Sequence, residues 1–253
     1  SFHPPPPHPA NFQPFFSVLQ YQIDRIDHQI ADDRSQWYDQ EYKDRDLKLL
    51  REWKKKGLKH LGVTDYIFGQ DFLIPRSLVG VVSESIPLFY REGLNSIYQS
   101  YVAPLWGYDA HTTWLAAQLC WDAGQDPEEL LEKFFRLYYG PAANSMREFF
   151  DTAERIRMEQ PGKGIWLKFW QNSHQASLYG DVELRELEQW LSRAEREAKA
   201  EDIADGLDYI RRVGYTRDLF DLTKTFVKLV QLRWAISTNG VVGFTPAYRP
   251  YTI

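Results

Sequence analysis

LKHLGVTDYIF (residues 58–68) and LNSIYQSYV (residues 94–102) are the two stretches whose reading decides the fold. Both are short, rich in β-forming residues and bounded by turn signals, the pattern of a buried strand. The first runs into the polar-aromatic cluster Thr64-Asp65-Tyr66. The second ends in Tyr98-Gln99-Ser100-Tyr101, with Trp106 close behind. Between them residues 78–92 fit a helix closed by Gly93, in which Pro87 must either kink the helix or start its second half. Strand, helix and strand in that order make a β-α-β unit. Ligands of α/β folds gather at the carboxyl ends of such strands, so those two ends become the candidate site.

Working outward, Phe15 to Ile23 (FFSVLQYQI) reads as an earlier strand leading into Asp24-Arg25-Ile26-Asp27-His28. Glu41 to Lys56 places Leu47, Leu50 and Trp53 at helical spacing, and Gly57 ends the run. Residues 109–121 read as a helix bearing Trp114, Leu115 and Trp121, with Cys120 on an apolar run and assigned to the core. The chain then changes character. Asp126-Pro127-Glu128-Glu129 is a helix start, with a cap, a proline at the first helical position and acids in the first turn. The helix stops at Gly140-Pro141, and apolar stripes to about Met158, over 181–198 and over 201–236 predict further helices. Three parallel strands followed by helices fit either an open sheet or the last strands of a (β/α)8 barrel with a helical appendix. The expected division is a Pro-rich extended lead-in over 1–14, the α/β part over 15–122, a helical domain over 123–236 and an irregular tail over 237–253.

Composition narrows the function. The chain of 253 residues is 43% hydrophobic, so a core can form. Its net charge of -5 argues against a nucleic-acid footprint. Lys54-Lys55-Lys56 ends a helix, where lysines complement the dipole. One cysteine forms no disulfide and builds no cysteine-rich metal site, and no cofactor motif is present. No apolar run of about 20 residues exists, so no membrane span is expected. Residues 1–9 do not read as a leader peptide. The opening in mid-loop suggests an excised domain, which leaves a secreted or periplasmic parent open. Nine Trp, 15 Tyr and 15 Phe exceed ordinary usage. Most serve the core, but exposed rings beside polar groups are also what a sugar cleft requires.

Four stretches in order resemble a family of uncharacterised bacterial proteins with a glycoside-hydrolase-like (β/α)8 barrel, related to the α-glucuronidases and the hexosaminidase superfamily. They are Arg25 and His28 with Asp32-Asp33 and Trp53; Asp65-Tyr66 with Phe68-Gly69 and Pro75; Gly93 with its strand and aromatic loop; and Trp114-Leu115-Ala116-Ala117-Gln118-Leu119-Cys120-Trp121-Asp122 leading to Tyr138-Tyr139-Gly140-Pro141. The resemblance implies a barrel with a sugar site at its carboxyl strand ends, completed by strands from an earlier part of a longer parent chain. It also implies a glutamate where this chain has Gln99-Ser100.

Asp65 is the candidate catalytic acid/base, because glycoside hydrolysis needs two carboxyl groups flanking the bond. Its alternative role is to cap a loop or pair with Arg25. Arg25 suits a uronic carboxylate through its fork of donors, although Arg25 and His28 could equally serve internal ion pairs. Tyr66 could hydrogen-bond a sugar or orient Asp65, its alternative being a buried tyrosine with a satisfied hydroxyl. Tyr98, Gln99, Tyr101 and Trp106 form the expected substrate wall or, alternatively, a surface packed against the rest of the barrel. Two functions stand side by side: a protein acting on carbohydrate through Asp65, and a non-catalytic carbohydrate-binding or interaction module. Gln99 in place of an acid favours the second.

Overall fold

The computed structural model describes residues 40–56, 62–66, 73–75, 77–94, 96–100, 106–159, 173–200 and 206–238. Its elements are α1 (Gln40–Lys55), β1 (Gly62–Tyr66), α2 (Val79–Arg91), β2 (Ser96–Ser100), α3 (Trp106–Trp121), α4 (Pro127–Tyr139), α5 (Ala143–Met158), α6 (Asp181–Lys199) and α7 (Gly206–Thr238), with short 3₁₀ turns at Gly140–Ala142 and Ser173–Leu178. The two strands pair in parallel, joined by the α2 crossover. Among the described residues no further strand extends that ladder.

The (β/α)8 expectation is therefore corrected. The described molecule is a helical fold carrying one short parallel ladder, not an α/β barrel. A barrel needs eight strands, and from residue 106 onward the described chain is helix. The local signals were real, since β1 and β2 lie where two strands were expected. Strand number and closure are set by partners distant in sequence, which a local pattern does not count. The expected strand over Phe15 to Ile23, the lead-in and the tail lie outside the described residues.

Local chemistry explains the helices. Asp126 caps α4 by accepting from the Glu128 N–H at 2.8 Å, and Pro127 occupies the first turn. Leu130, Leu131, Phe134, Phe135 and Tyr139 then form its buried face. The end of α2 is closed by Gly93 at φ 82°, with Leu94 N–H bonding the Phe89 carbonyl at 3.0 Å and Gly93 N–H the Tyr90 carbonyl at 2.9 Å. That is the Schellman arrangement, and the buried Leu94 and Phe89 supply its apolar contact. Pro87 sits inside α2 without ending it. Arg51 and Lys54 of α1 bind the Glu92 carboxylate and carbonyl at the same corner.

One continuous core runs from Leu50 of α1 to Val230 of α7. α3 is buried along Tyr108, Ala110, Leu115, Ala116 and Leu119 and packs against α2, α4 and α7. The Phe149 ring meets the Phe220 ring edge-on at 5.6 Å, joining α5 to α7. Across the α6–α7 seam Arg217 bridges Glu188 (2.6 Å) and Glu195 (2.9 Å), and Lys224 bridges Glu188 (2.7 Å). These part-exposed ions align the helices more than they stabilise them.

Two glycines test this packing with opposite signs. Gly140 holds φ 54°, and a Cβ there would lie 2.5 Å from the Tyr209 ring. Gly214, within α7, would point a Cβ into open space. Gly140→Ala is expected to cost about 2–4 kcal/mol, and Gly214→Ala to stabilise by about 0.5–1 kcal/mol, both read from urea unfolding.

Candidate functional site

The ladder brings the strand-end residues into register. Thr64 pairs with Tyr98, Asp65 with Gln99 and Tyr66 with Ser100. The two positions expected to carry acid chemistry thus stand opposite each other, one a carboxylate and the other an amide. Arg25, His28 and Tyr101 lie outside the described residues. Trp106 opens α3 soon after β2 and is half-buried; its indole N–H donates to the Tyr138 hydroxyl at 2.8 Å.

Around Trp106 gathers a cluster that sequence reasoning missed. Arg212 of α7 donates to the Tyr138 carbonyl at 2.9 Å, and its guanidinium lies over the Tyr138 ring at 4.6 Å and near the Tyr209 ring at 5.8 Å. Burial raises the Tyr138 hydroxyl above its ordinary range, while the bond from Trp106 and the charge of Arg212 pull it back. Trp106 is thus held between helices α3, α4 and α7. The only sequence signal was the aromatic pair Tyr138-Tyr139; Arg212 comes from the other end of the chain.

A second polar group lies deep in the core. Ser77 Oγ donates to Glu154 Oε2 at 2.8 Å and lies 3.3 Å from His111 Nε2. Because the serine proton goes to the carboxylate, a bond between Nε2 and Ser77 has the imidazole as donor, whereas between Nε2 and the Thr112 hydroxyl, also at 3.3 Å, either group can donate. His111 Nδ1 has no hydrogen-bond partner among the described residues. A nucleophilic triad places histidine between serine and acid. Here serine is in the middle and both Ser77 and His111 are buried, so the arrangement is not that of a triad, and the cluster ties α3 and α5 to the start of α2.

An open concavity lies elsewhere. A groove of about 670 Å³ lies between the ends of α2 and α3, beside the start of β2. Ile86, Phe89, Leu94, Ile97 and Leu119 form its apolar part. Tyr90 and Trp121 flank it, and they are 71% and 90% exposed. Asp122 supplies a carboxylate whose Oδ1 accepts from the Gly124 N–H at 2.9 Å. Cys120, expected in the core, is exposed on this groove. The groove reaches Leu94 and Ile97, at the amino end of β2. Its size suits a small ligand. Tyr90 and Trp121 were hidden in sequence because each reads as one more ring on an apolar helix. Among the described residues no group of three or more His, Cys, Asp or Glu could hold a metal ion.

Comparison with family models matches residues 17–151, more than half of the chain, to a domain of unknown function (DUF4838). No curated protein and no solved structure matches.

The buried imidazole makes a pH prediction. Desolvation, with the Arg147 charge adding, lowers His111 from 6.5 to about 3. The unfolded chain takes up this proton at 6.5 and the folded chain does not. Stability from this group is therefore complete above pH 6.5 and is lost as pH falls toward about 3, at about 1.4 kcal/mol per unit. His111→Gln, measured by denaturant unfolding across that range, should show a slope smaller by one proton.

Proposed function

Since the chain belongs to the DUF4838 family, whose function is unknown, we propose from its own residues that it binds carbohydrate and does not cut it. The observation that carries this is the groove between α2 and α3, with Tyr90 and Trp121 held in solvent at its edge. Exposed rings beside an apolar groove form a patch of the kind at which ligands bind. Sugar rings have apolar C–H faces that stack on aromatics and hydroxyls that need acceptors such as Asp122. The resemblance to glycoside-hydrolase-like proteins related to the α-glucuronidases names the same ligand class, and uronic-acid-bearing oligosaccharides are the natural first choice within it.

The register at the strand ends supports binding over hydrolysis. Two carboxyl groups are needed to protonate the leaving group and to activate water or attack the sugar. The position facing Asp65 carries Gln99, an amide that neither gives nor takes a proton in such a step. Hydrolysis remains the second reading because Asp65 itself stands near the carboxyl end of β1, where a catalytic acid belongs.

Calorimetric titration with neutral and glucuronic-acid-bearing xylo-oligosaccharides tests the proposal. Saturable binding is expected, weakened at least about tenfold, or 1.4 kcal/mol, by Trp121→Ala with the melting temperature unchanged. Absence of binding, or binding indifferent to both Trp121→Ala and Tyr90→Ala, sinks it. Release of nitrophenol from aryl glycosides that disappears in Asp65→Asn would establish the hydrolytic reading instead.

A further inference from the structure

We propose that the groove between α2 and α3 selects its sugar by charge: the unit that stacks on Trp121 is neutral or carries an amine, and a uronate is kept out of the groove. This rests on the reading that the groove binds carbohydrate and goes further by saying which sugars enter it. Among the described lining residues Asp122 is the one acid, and none is basic. The bond from the Gly124 N–H to its Oδ1, at 2.9 Å, holds that carboxylate at the groove beside Trp121.

The backbone adds charge of the same sign. α3 ends at Trp121, so its carboxyl end, the negative pole of the helix dipole, meets the groove. No basic residue stands in its last turn. Gln125 Nε2 donates to the Gln118 carbonyl at 3.0 Å and to the Asp122 carbonyl at 3.2 Å, but this amide brings no net charge. The cations of that corner serve the end of α2 instead. Arg51 binds the Glu92 carboxylate, Lys54 binds the Glu92 carbonyl, and the Arg91 charge also acts on Glu92. None of the three is among the described lining residues. A cleft with charge of one sign and low-dielectric walls focuses its field, and here Ile86, Phe89 and Leu119 supply the walls. An ammonium on the sugar would donate to Asp122 and gain this attraction, and a neutral ring would offer its hydroxyls. A sugar carboxylate would meet like charge. In a uronic-acid-bearing oligosaccharide, a neutral unit therefore occupies the groove and the uronate stays outside it.

The test is calorimetric titration of the whole chain with β-1,4-linked trimers of glucose, glucosamine and glucuronic acid. It is run at about pH 6, where amine and carboxylates are charged, and at an ionic strength of about 0.01 M, where screening is weak. The glucosamine trimer should bind tightest and the glucuronic acid trimer weakest, at least about tenfold apart. The chain's net charge of -5 favours cations everywhere on its surface, so Asp122→Asn isolates the groove. That substitution keeps an oxygen for the Gly124 N–H and should narrow the gap to about threefold or less, with the melting temperature unchanged. Trp121→Ala should weaken all three trimers alike. Binding in which the glucuronic acid trimer equals or exceeds the glucose trimer overturns charge selection and leaves carbohydrate binding standing. A gap that Asp122→Asn does not narrow also overturns it. Absence of binding by all three trimers overturns both readings together.

Discussion

The fold depends on burying α3 on nearly every side. A helix so enclosed must hand its polar groups to partners, because an unpaired buried group costs stability. Tyr108 does so through Thr223 of α7 at 2.7 Å, and Thr223 also reaches the Leu73 carbonyl. The Gly107 carbonyl accepts from Thr216 at 2.9 Å, and a Cβ at Gly107 would press on Leu219 at 2.8 Å. His111 completes the set by joining Ser77. These bonds lock the β-α-β segment to the long C-terminal helix, so α7 behaves as part of one body with α1 and α2.

That enclosure decides where ligands can go. Along its buried face α3 is closed to solvent, and Ser77 and His111 are buried with it, whereas their partner Glu154 is only half-buried. α3 is part-exposed at Trp106 and reaches the surface again at Ala117, Cys120 and Trp121. At the amino end Trp106 is held by Tyr138, which Arg212 covers. At the carboxyl end Trp121 stands free beside the groove. Two tryptophans of one helix thus differ, Trp106 being cross-linked and Trp121 exposed.

Much of the helical half was legible residue by residue. The cap at Asp126, the proline after it and the stop at Gly140 are local chemistry, and α4 follows them closely. Gly93 marked the end of α2 for the same reason. The barrel was not legible, because Asp65-Tyr66 and Tyr98-Gln99 announce strand ends without counting strands. The site was legible only in part. Asp65 and Gln99 were named and do share a register position, whereas Arg212, Tyr90 and Cys120 acquire meaning only from neighbours far along the chain.

By itself, the amino-acid sequence determined where helices begin and end and which faces are apolar, since capping, φ preference and periodicity act over a few residues. Tertiary structure alone decided that the β segments make a single two-stranded ladder among the described residues, that α3 is enclosed, and which aromatic rings meet water. Those outcomes depend on contacts between residues more than 100 positions apart, such as Tyr108 with Thr223, and no local pattern encodes which distant surface will cover a given side chain.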